Sequence, residues 1–171
     1  MNSVMRKDNI LKLLKESETP ISGADLAEKF GVSRQIIVQD IALIRAEGSQ
    51  IIATSKGYMY PKYLKNAILK TIAVKHSSGM MGEELYIIVD YGGKVLDITV
   101  EHPVYGEIKA NLMLSTKEDI DIFVEEFAKS KAEPLSVVTN GVHLHTIEVP
   151  SNKIYELIKL ALKEKGFLLE D

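Results

Sequence analysis

Ser22 and Ser33 stand on either side of Gly31, and each opens a run with helical apolar spacing. That punctuation constrains the fold more than any other feature. Ser22-Gly23-Ala24-Asp25 reads as a capping box, with an acid at the third helical position. Leu26, Ala27 and Phe30 then supply a buried stripe, and Gly31-Val32 gives a tight corner in which glycine permits the left-handed conformation. Ser33 caps a longer helix to about Glu47, whose Ile37, Ile41 and Ile44 recur at intervals of four and three on one face. Ahead of both, residues 4–16 carry Ile10, Leu11, Leu13 and Leu14 among Lys and Glu, and Thr19-Pro20 stops that helix. Short helix, glycine turn and longer helix is helix-turn-helix organisation.

Residues 50–60 are β-prone on both sides of Ser55-Lys56-Gly57, which predicts a hairpin wing. Three helices with a wing make a winged helix. With the isoleucines turned inward, Ser33, Arg34, Gln35, Val38 and Gln39 face outward near the start of the third helix, where a recognition helix meets base edges. Arg34 suits guanine or phosphate, and Gln35 and Gln39 suit adenine. Lys56 and Tyr58 on the wing would reach the phosphate backbone or the minor groove. A winged helix used for protein contacts is the alternative reading.

The whole chain of 171 residues has a net charge of −3, which does not announce a nucleic-acid binder. Cutting at Pro61 sharpens this: the first part carries net +1 and the remainder −4. All three Arg lie in the first part, and all four His in the second. The expected division is therefore a DNA-binding domain over residues 1–61 and a sensor over residues 62–171, joined by a short linker near Pro61-Lys62-Tyr63-Leu64. With 26% charged and 46% apolar residues the chain is globular in composition. No apolar run approaches the roughly 18 residues of a membrane span, and no signal-peptide core is present, so a cytoplasmic protein with no membrane contact is expected. The absence of Cys fits a reducing compartment and limits metal ligation to His and carboxylates.

In the second part, a strand over residues 68–76 precedes a helix over 80–89, broken at Tyr91-Gly92-Gly93. Strands over 94–101 and 108–114 follow, then a helix capped by Ser115 or Thr116, a strand over 142–149, and a last helix over 154–165 stopped by Gly166. The order β-α-β-β-α-β-α predicts an α+β open-faced sandwich, with helices on one face of a mainly antiparallel sheet. The broadly apolar last helix can serve either the core or a dimer interface.

His143 and His145 alternate on a strand, so their side chains leave from one face, about 7 Å apart, and can converge on one ion. His76 closes the first strand, and Glu83 or Glu84 falls in the first turns of the next helix; spacing does not choose between them. Three imidazoles and a carboxylate suit nickel, zinc, iron(II) or cobalt rather than calcium or magnesium. Two surface histidines would give the same short motif.

The set His76 with Glu84, Val100-Glu101-His102-Pro103-Val104-Tyr105-Gly106 and Asn140-Gly141-Val142-His143-Leu144-His145 resembles the three-histidine domain behind a winged helix in bacterial niacin-responsive repressors. Ser33-Arg34-Gln35-Ile36-Ile37-Val38-Gln39-Asp40-Ile41-Ala42-Leu43 is similar to the same family. The resemblance covers essentially the whole chain. It implies a homodimeric repressor of niacin-uptake and NAD-synthesis genes, binding a double-stranded operator with nicotinic acid as co-repressor. It also implies an HPr-like sensor topology and a divalent metal on His76, Glu84, His143 and His145. The sensor has no Arg to hold a carboxylate. The effector is therefore expected to take an open position on the metal, with His102 or Tyr105 hydrogen-bonding its other end; a closed structural metal with nicotinate bound elsewhere is the alternative. A metal-responsive regulator is the rival function, and a metal-dependent hydrolase ranks lower because no nucleophile-base pair or phosphate loop accompanies the site. The chain is expected not to be an enzyme.

Overall fold

A computed structural model describes residues 2–62 and 66–170. The chain divides into two compact units, residues 1–63 and 64–171. Of the expected linker, Tyr63 and Leu64 lie outside the described residues.

The first unit contains α1 (Ser3–Glu16), α2 (Gly23–Phe30) and α3 (Arg34–Ala46), followed by the hairpin β1 (Ile52–Thr54) and β2 (Gly57–Met59). Each helix starts on a side-chain cap: Asn2, Ser22 and Ser33 accept from the amides of Met5, Asp25 and Ile36. Such a cap contributes about 1 kcal/mol by satisfying an amide that the helix leaves unpaired. Gly31 ends α2 in the left-handed conformation, at φ 64° and ψ 37°. Ile37, Ile41 and Ile44 join Ile10, Leu14, Leu26, Ala27 and Ile51 in one core. The wing is tied to the helices by a two-way exchange between Ile21 and Tyr58, at 2.9 and 2.8 Å.

The second unit runs β3 (Ile68–Lys75), α4 (Met81–Asp90), β4 (Lys94–His102), β5 (Gly106–Leu114), α5 (Lys117–Ser130), β6 (Val142–Val149) and α6 (Asn152–Glu164). Its strands lie in the order β5-β4-β6-β3, every neighbouring pair antiparallel. Leu85 and Ile88 of α4, Ile120 of α5 and Ile158 and Leu162 of α6 share one core with Ile72, Val74, Val95, Leu112, Leu114, Ile147 and Val149 of the sheet. All three helices therefore cover the same face, as the α+β reading expects. The cap of α5 is Thr116, and both arms of a capping box form there with Asp119, whereas at α2 Ser22 supplies its own arm alone among the described contacts.

Three features depart from the sequence reading. Two 3₁₀ turns, Ser78–Met80 and Leu135–Thr139, precede α4 and β6. His76 lies just beyond β3, which ends at Lys75, because the chain turns there into the first of these. Beyond α6 the chain returns along the edge of β3: Lys75 N–H donates to Phe167 O at 2.8 Å and Leu169 N–H to Ala73 O at 2.9 Å.

Register places the histidines. Ile72 pairs with His145 and Val74 with His143. Opposed residues share a face, so both imidazoles continue the row of Ile147 and Val149 toward the helices. Burying each of those isoleucines and valines is worth about 1.5–3 kcal/mol. A slip of one residue would forfeit that and turn both histidines to the other face.

Candidate metal centre and DNA-reading helix

Glu84, the fourth residue of α4, is the point on which the three imidazoles converge. Nε2 of His143 lies 3.3 Å from Glu84 Oε2, and Nε2 of His145 lies 3.0 Å from Oε1. His76 Nε2 contacts Oε2 as well. The His143 ring stands edge-on to those of His76 and His145, with centroids 4.9 Å away in both cases. Glu84, His143 and His145 are almost fully buried. Glu83 is excluded from the group: it pairs with Lys165 at 2.7 Å on the surface.

The other nitrogen of each ring decides the chemistry. Nδ1 of His76 lies 2.7 Å from Ser77 O, Nδ1 of His143 2.9 Å from Gly141 O, and Nδ1 of His145 2.7 Å from Asp97 O. A carbonyl can only accept, so each Nδ1 carries a proton, and each ring, in its neutral form, presents a bare lone pair at Nε2. In that form three lone pairs face a carboxylate that can only accept. Glu84 Oε1 and His145 Nε2 are buried facing each other at 3.0 Å, and neither has another hydrogen-bond partner among the described residues. Such orphaned buried atoms are expensive. Two things can resolve the conflict, a proton shared between ring and carboxylate or a cation among all four groups.

Both options are visible. Without a cation, burial would raise the Glu84 pKa, but the His145 imidazole and hydrogen bonds from His143, His145 and His76 hold it well below the usual range. Burial would lower His145, yet Glu84 pushes it up; the same balance raises His76. A divalent ion is compatible with the same geometry. Ligand atoms about 2.0–2.1 Å from a tetrahedral ion stand roughly 3.3 Å from one another. Carbonyl-anchored Nδ1–H groups are also the usual outer support of metal-bound imidazoles. The atoms offered by His76, Glu84 and His143 lie within 4.8 Å of each other. His145, though outside that triplet, touches the second carboxylate oxygen.

Gly141 supports two of the imidazoles at once. Its φ is +92°, and a Cβ there would stand 2.5 Å from His76 O, so a side chain would push the two segments apart. A cleft of about 500 Å³ opens beside the cluster, lined by Lys75, His76, Ser77, Ser136, Asn140 and Gly141 among others. Sequence reasoning missed this cleft, because Ser136 and Asn140 reach it through the second 3₁₀ turn, which no apolar periodicity marks.

His102 and Tyr105 sit apart from the cluster's contacts. His102 closes β4 at the end of the sheet where β6 begins, and its Nδ1 accepts from the amides of Val104 and Tyr105 at 3.1 and 3.2 Å. The two rings lie 4.9 Å apart, with Tyr105 78% exposed. His102 thereby organises the hairpin turn.

On α3, Ser33, Arg34, Gln35, Val38 and Gln39 are all exposed, although the Ser33 hydroxyl is engaged as the cap. The Arg34 side chain folds back over Gly23, next to the Tyr58 ring. Tyr58 is half-buried against the core, and Lys56 lies in the turn of the wing. Arg6 is no DNA-facing charge: its guanidinium forks onto Asp40, at 2.6 and 3.2 Å. The signal was present in the sequence, since Asp40 shares the apolar face of Ile37 and Ile44 and a buried acid there requires a cation.

A model described as an HTH domain matches residues 6–59, and one described as a 3H domain matches residues 69–171. The chain is 45% identical over 166 residues to the probable transcription repressor NiaR of Thermotoga maritima, covering 97% of this chain and 94% of that protein. It is 41% identical over 169 residues to the transcription repressor NadR of Bacillus subtilis, with coverage of 97% and 94%. Among the described residues no helix is long and apolar enough to cross a membrane. The chain belongs to the NiaR-type family of transcription repressors, in which an N-terminal helix-turn-helix domain precedes a C-terminal 3H domain.

Proposed function

We propose that this protein is a homodimeric DNA-binding repressor of genes for niacin uptake and NAD biosynthesis, with nicotinic acid as co-repressor. Its role is regulatory and not enzymatic, as the named repressors among its relatives indicate. His76, Glu84, His143 and His145 hold a divalent transition metal, nickel, zinc or iron. The observation that carries the sensor reading is the buried Glu84 carboxylate facing three imidazoles, each with its Nδ1–H held by a carbonyl and its Nε2 turned to the carboxylate.

An ion bound there supplies a Lewis-acid position for the pyridine nitrogen or the carboxylate of the effector. The effector occupies the cleft beside His76. In a unit without Arg, Lys75 on the cleft wall supplies the positive charge that a carboxylate needs, and Ser77, Ser136 and Asn140 supply polar contacts. His102 and Tyr105 border this end of the sheet and contribute from the hairpin. Ser33, Arg34, Gln35, Val38 and Gln39 read the operator's major groove, with Lys56 and Tyr58 at the flanking backbone. Net +1 over the first part gives a weak electrostatic hold, so two half-sites read by a dimer compensate. Co-repression requires nicotinate to favour the DNA-competent state of that dimer.

Operator fluorescence anisotropy with metal-loaded protein tests this reading. Nicotinate should tighten binding, whereas affinity that stays flat or falls contradicts it. Binding that responds to metal at fixed nicotinate, but never to nicotinate at fixed metal, would assign the protein as a metal-responsive regulator instead.

A further inference from the structure

We propose that Asp97 is the positioning residue for His145, acting through a bulge in β4 that turns its own carbonyl toward the imidazole. Between Val95↔Ile147 and Thr99↔Leu144, β4 advances four residues against three on β6. One extra residue is thus inserted in β4 beside the cluster, the kind of irregularity that re-aims a group at a functional site.

The consequence is an exchange of acceptors at one residue. Asp97 O is taken by His145 Nδ1–H at 2.7 Å. The next donor along β6, Thr146 N–H, is taken by the Asp97 carboxylate, whose Oδ1 lies 3.0 Å away. The side chain stands in for the main-chain acceptor, so the carbonyl is released to the imidazole without leaving the Thr146 amide unpaired. Asp97 is itself buried, with Lys109 Nζ at 3.7 Å from its other oxygen. A regular ladder offers no such spare carbonyl, because each one is already committed to the neighbouring strand. With Nδ1–H fixed in this way, His145 keeps Nε2 bare and aimed at Glu84 Oε1. Remove the carboxylate, and the Thr146 amide must seek the nearest main-chain acceptor, which competes directly with His145.

The inference rests on the metal reading for its affinity arm alone. Zinc titrations of Asp97→Ala should show affinity about 10- to 100-fold weaker, the usual cost of losing an outer support. Asp97→Asn keeps an oxygen for Thr146 N–H and should stay near the unsubstituted chain. Cobalt(II) loaded into Asp97→Ala should show altered visible bands, while Asp97→Asn should not. In metal-free protein at alkaline pH, where the ring is neutral, the His145 Nδ1–H resonance should appear in the unsubstituted chain and in Asp97→Asn but not in Asp97→Ala. Should Asp97→Ala fail to fold, Asp97→Glu, which displaces the oxygens by one methylene, takes its place with the same expectations. Unweakened zinc binding by Asp97→Ala, an equal loss in Asp97→Asn, or a persistent Nδ1–H signal in Asp97→Ala overturns the proposal. If the unsubstituted chain binds no zinc, the metal reading fails, and the ring-proton experiment alone decides the role of Asp97.

Discussion

Asp40 in the helix-turn-helix unit and Glu84 in the 3H unit are buried to 3% and 1% exposure, yet their burial is resolved in opposite ways. Asp40 meets the planar fork of Arg6, so charge and hydrogen bonds are answered within the chain. Glu84 meets three imidazoles that each give one ring N–H to a carbonyl, and its Oε1 and the His145 Nε2 facing it have no other partner among the described residues. A fully paired buried charge stabilises one structure. An incompletely paired one marks a candidate site for a bound cation.

The largest expected effect follows from metal itself. Zinc or nickel at about 100 times its dissociation constant should raise stability by about 2.7 kcal/mol. A chelator should remove the gain, and calorimetric melts would show it as movement of the transition of the 3H unit. In Glu84→Ala the metal-dependent increment should vanish. Arg6→Ala, by contrast, should lower the melting of the first unit by several degrees whether or not metal is present, since it leaves Asp40 buried and unpaired. Metal that rescues Arg6→Ala, or a Glu84→Ala protein that still melts higher with metal, would break the contrast between the two carboxylates.

Next in size is Arg34→Ala, expected to weaken operator binding by about 1–3 kcal/mol, measured by anisotropy, with zinc affinity unchanged. An equal loss on every DNA sequence would sharpen the assignment, moving Arg34 from base reading to phosphate.

The smallest effect is a difference of sign with pH. In metal-free protein His76 and His145 are pushed above their ordinary value by Glu84 despite burial. Their contribution is therefore complete below the ordinary histidine value and is lost as pH rises through the folded one. Glu84, held low, loses its contribution only in acid. Metal-loaded protein should behave oppositely near neutrality, because protons displace the ion from its imidazoles and stability falls as pH falls. Slopes of the same sign in the two forms would contradict the reading of the cluster.

Periodicity alone makes much of both units legible. The inward face of Ile37, Ile41 and Ile44 and the shared face of His143 and His145 follow from periods of 3.6 and 2, and both hold. Spacing does not choose between Glu83 and Glu84, because adjacent positions on the first turn of α4 differ by only about 100° of rotation. The structure separates them by burying one and pairing the other with Lys165. Arg6 and Asp40 lie 34 residues apart, and only tertiary packing of α1 on α3 reveals that one of the three Arg belongs to the core rather than to DNA. The cleft and the edge made by Phe167 and Leu169 depend on 3₁₀ turns and a single bridge, elements too short to carry a periodic signal.

The most direct measurement is a calorimetric titration of the chelator-treated, folded protein with nickel and with zinc, repeated for Glu84→Ala and His145→Ala. One ion per chain should bind, with protons released to the buffer, and either substitution should weaken binding by more than about 100-fold, beyond the cost of losing an outer support. A chain that takes up no ion, or variants that bind as tightly as the unsubstituted protein, would show that the Glu84 cluster is held by shared protons alone.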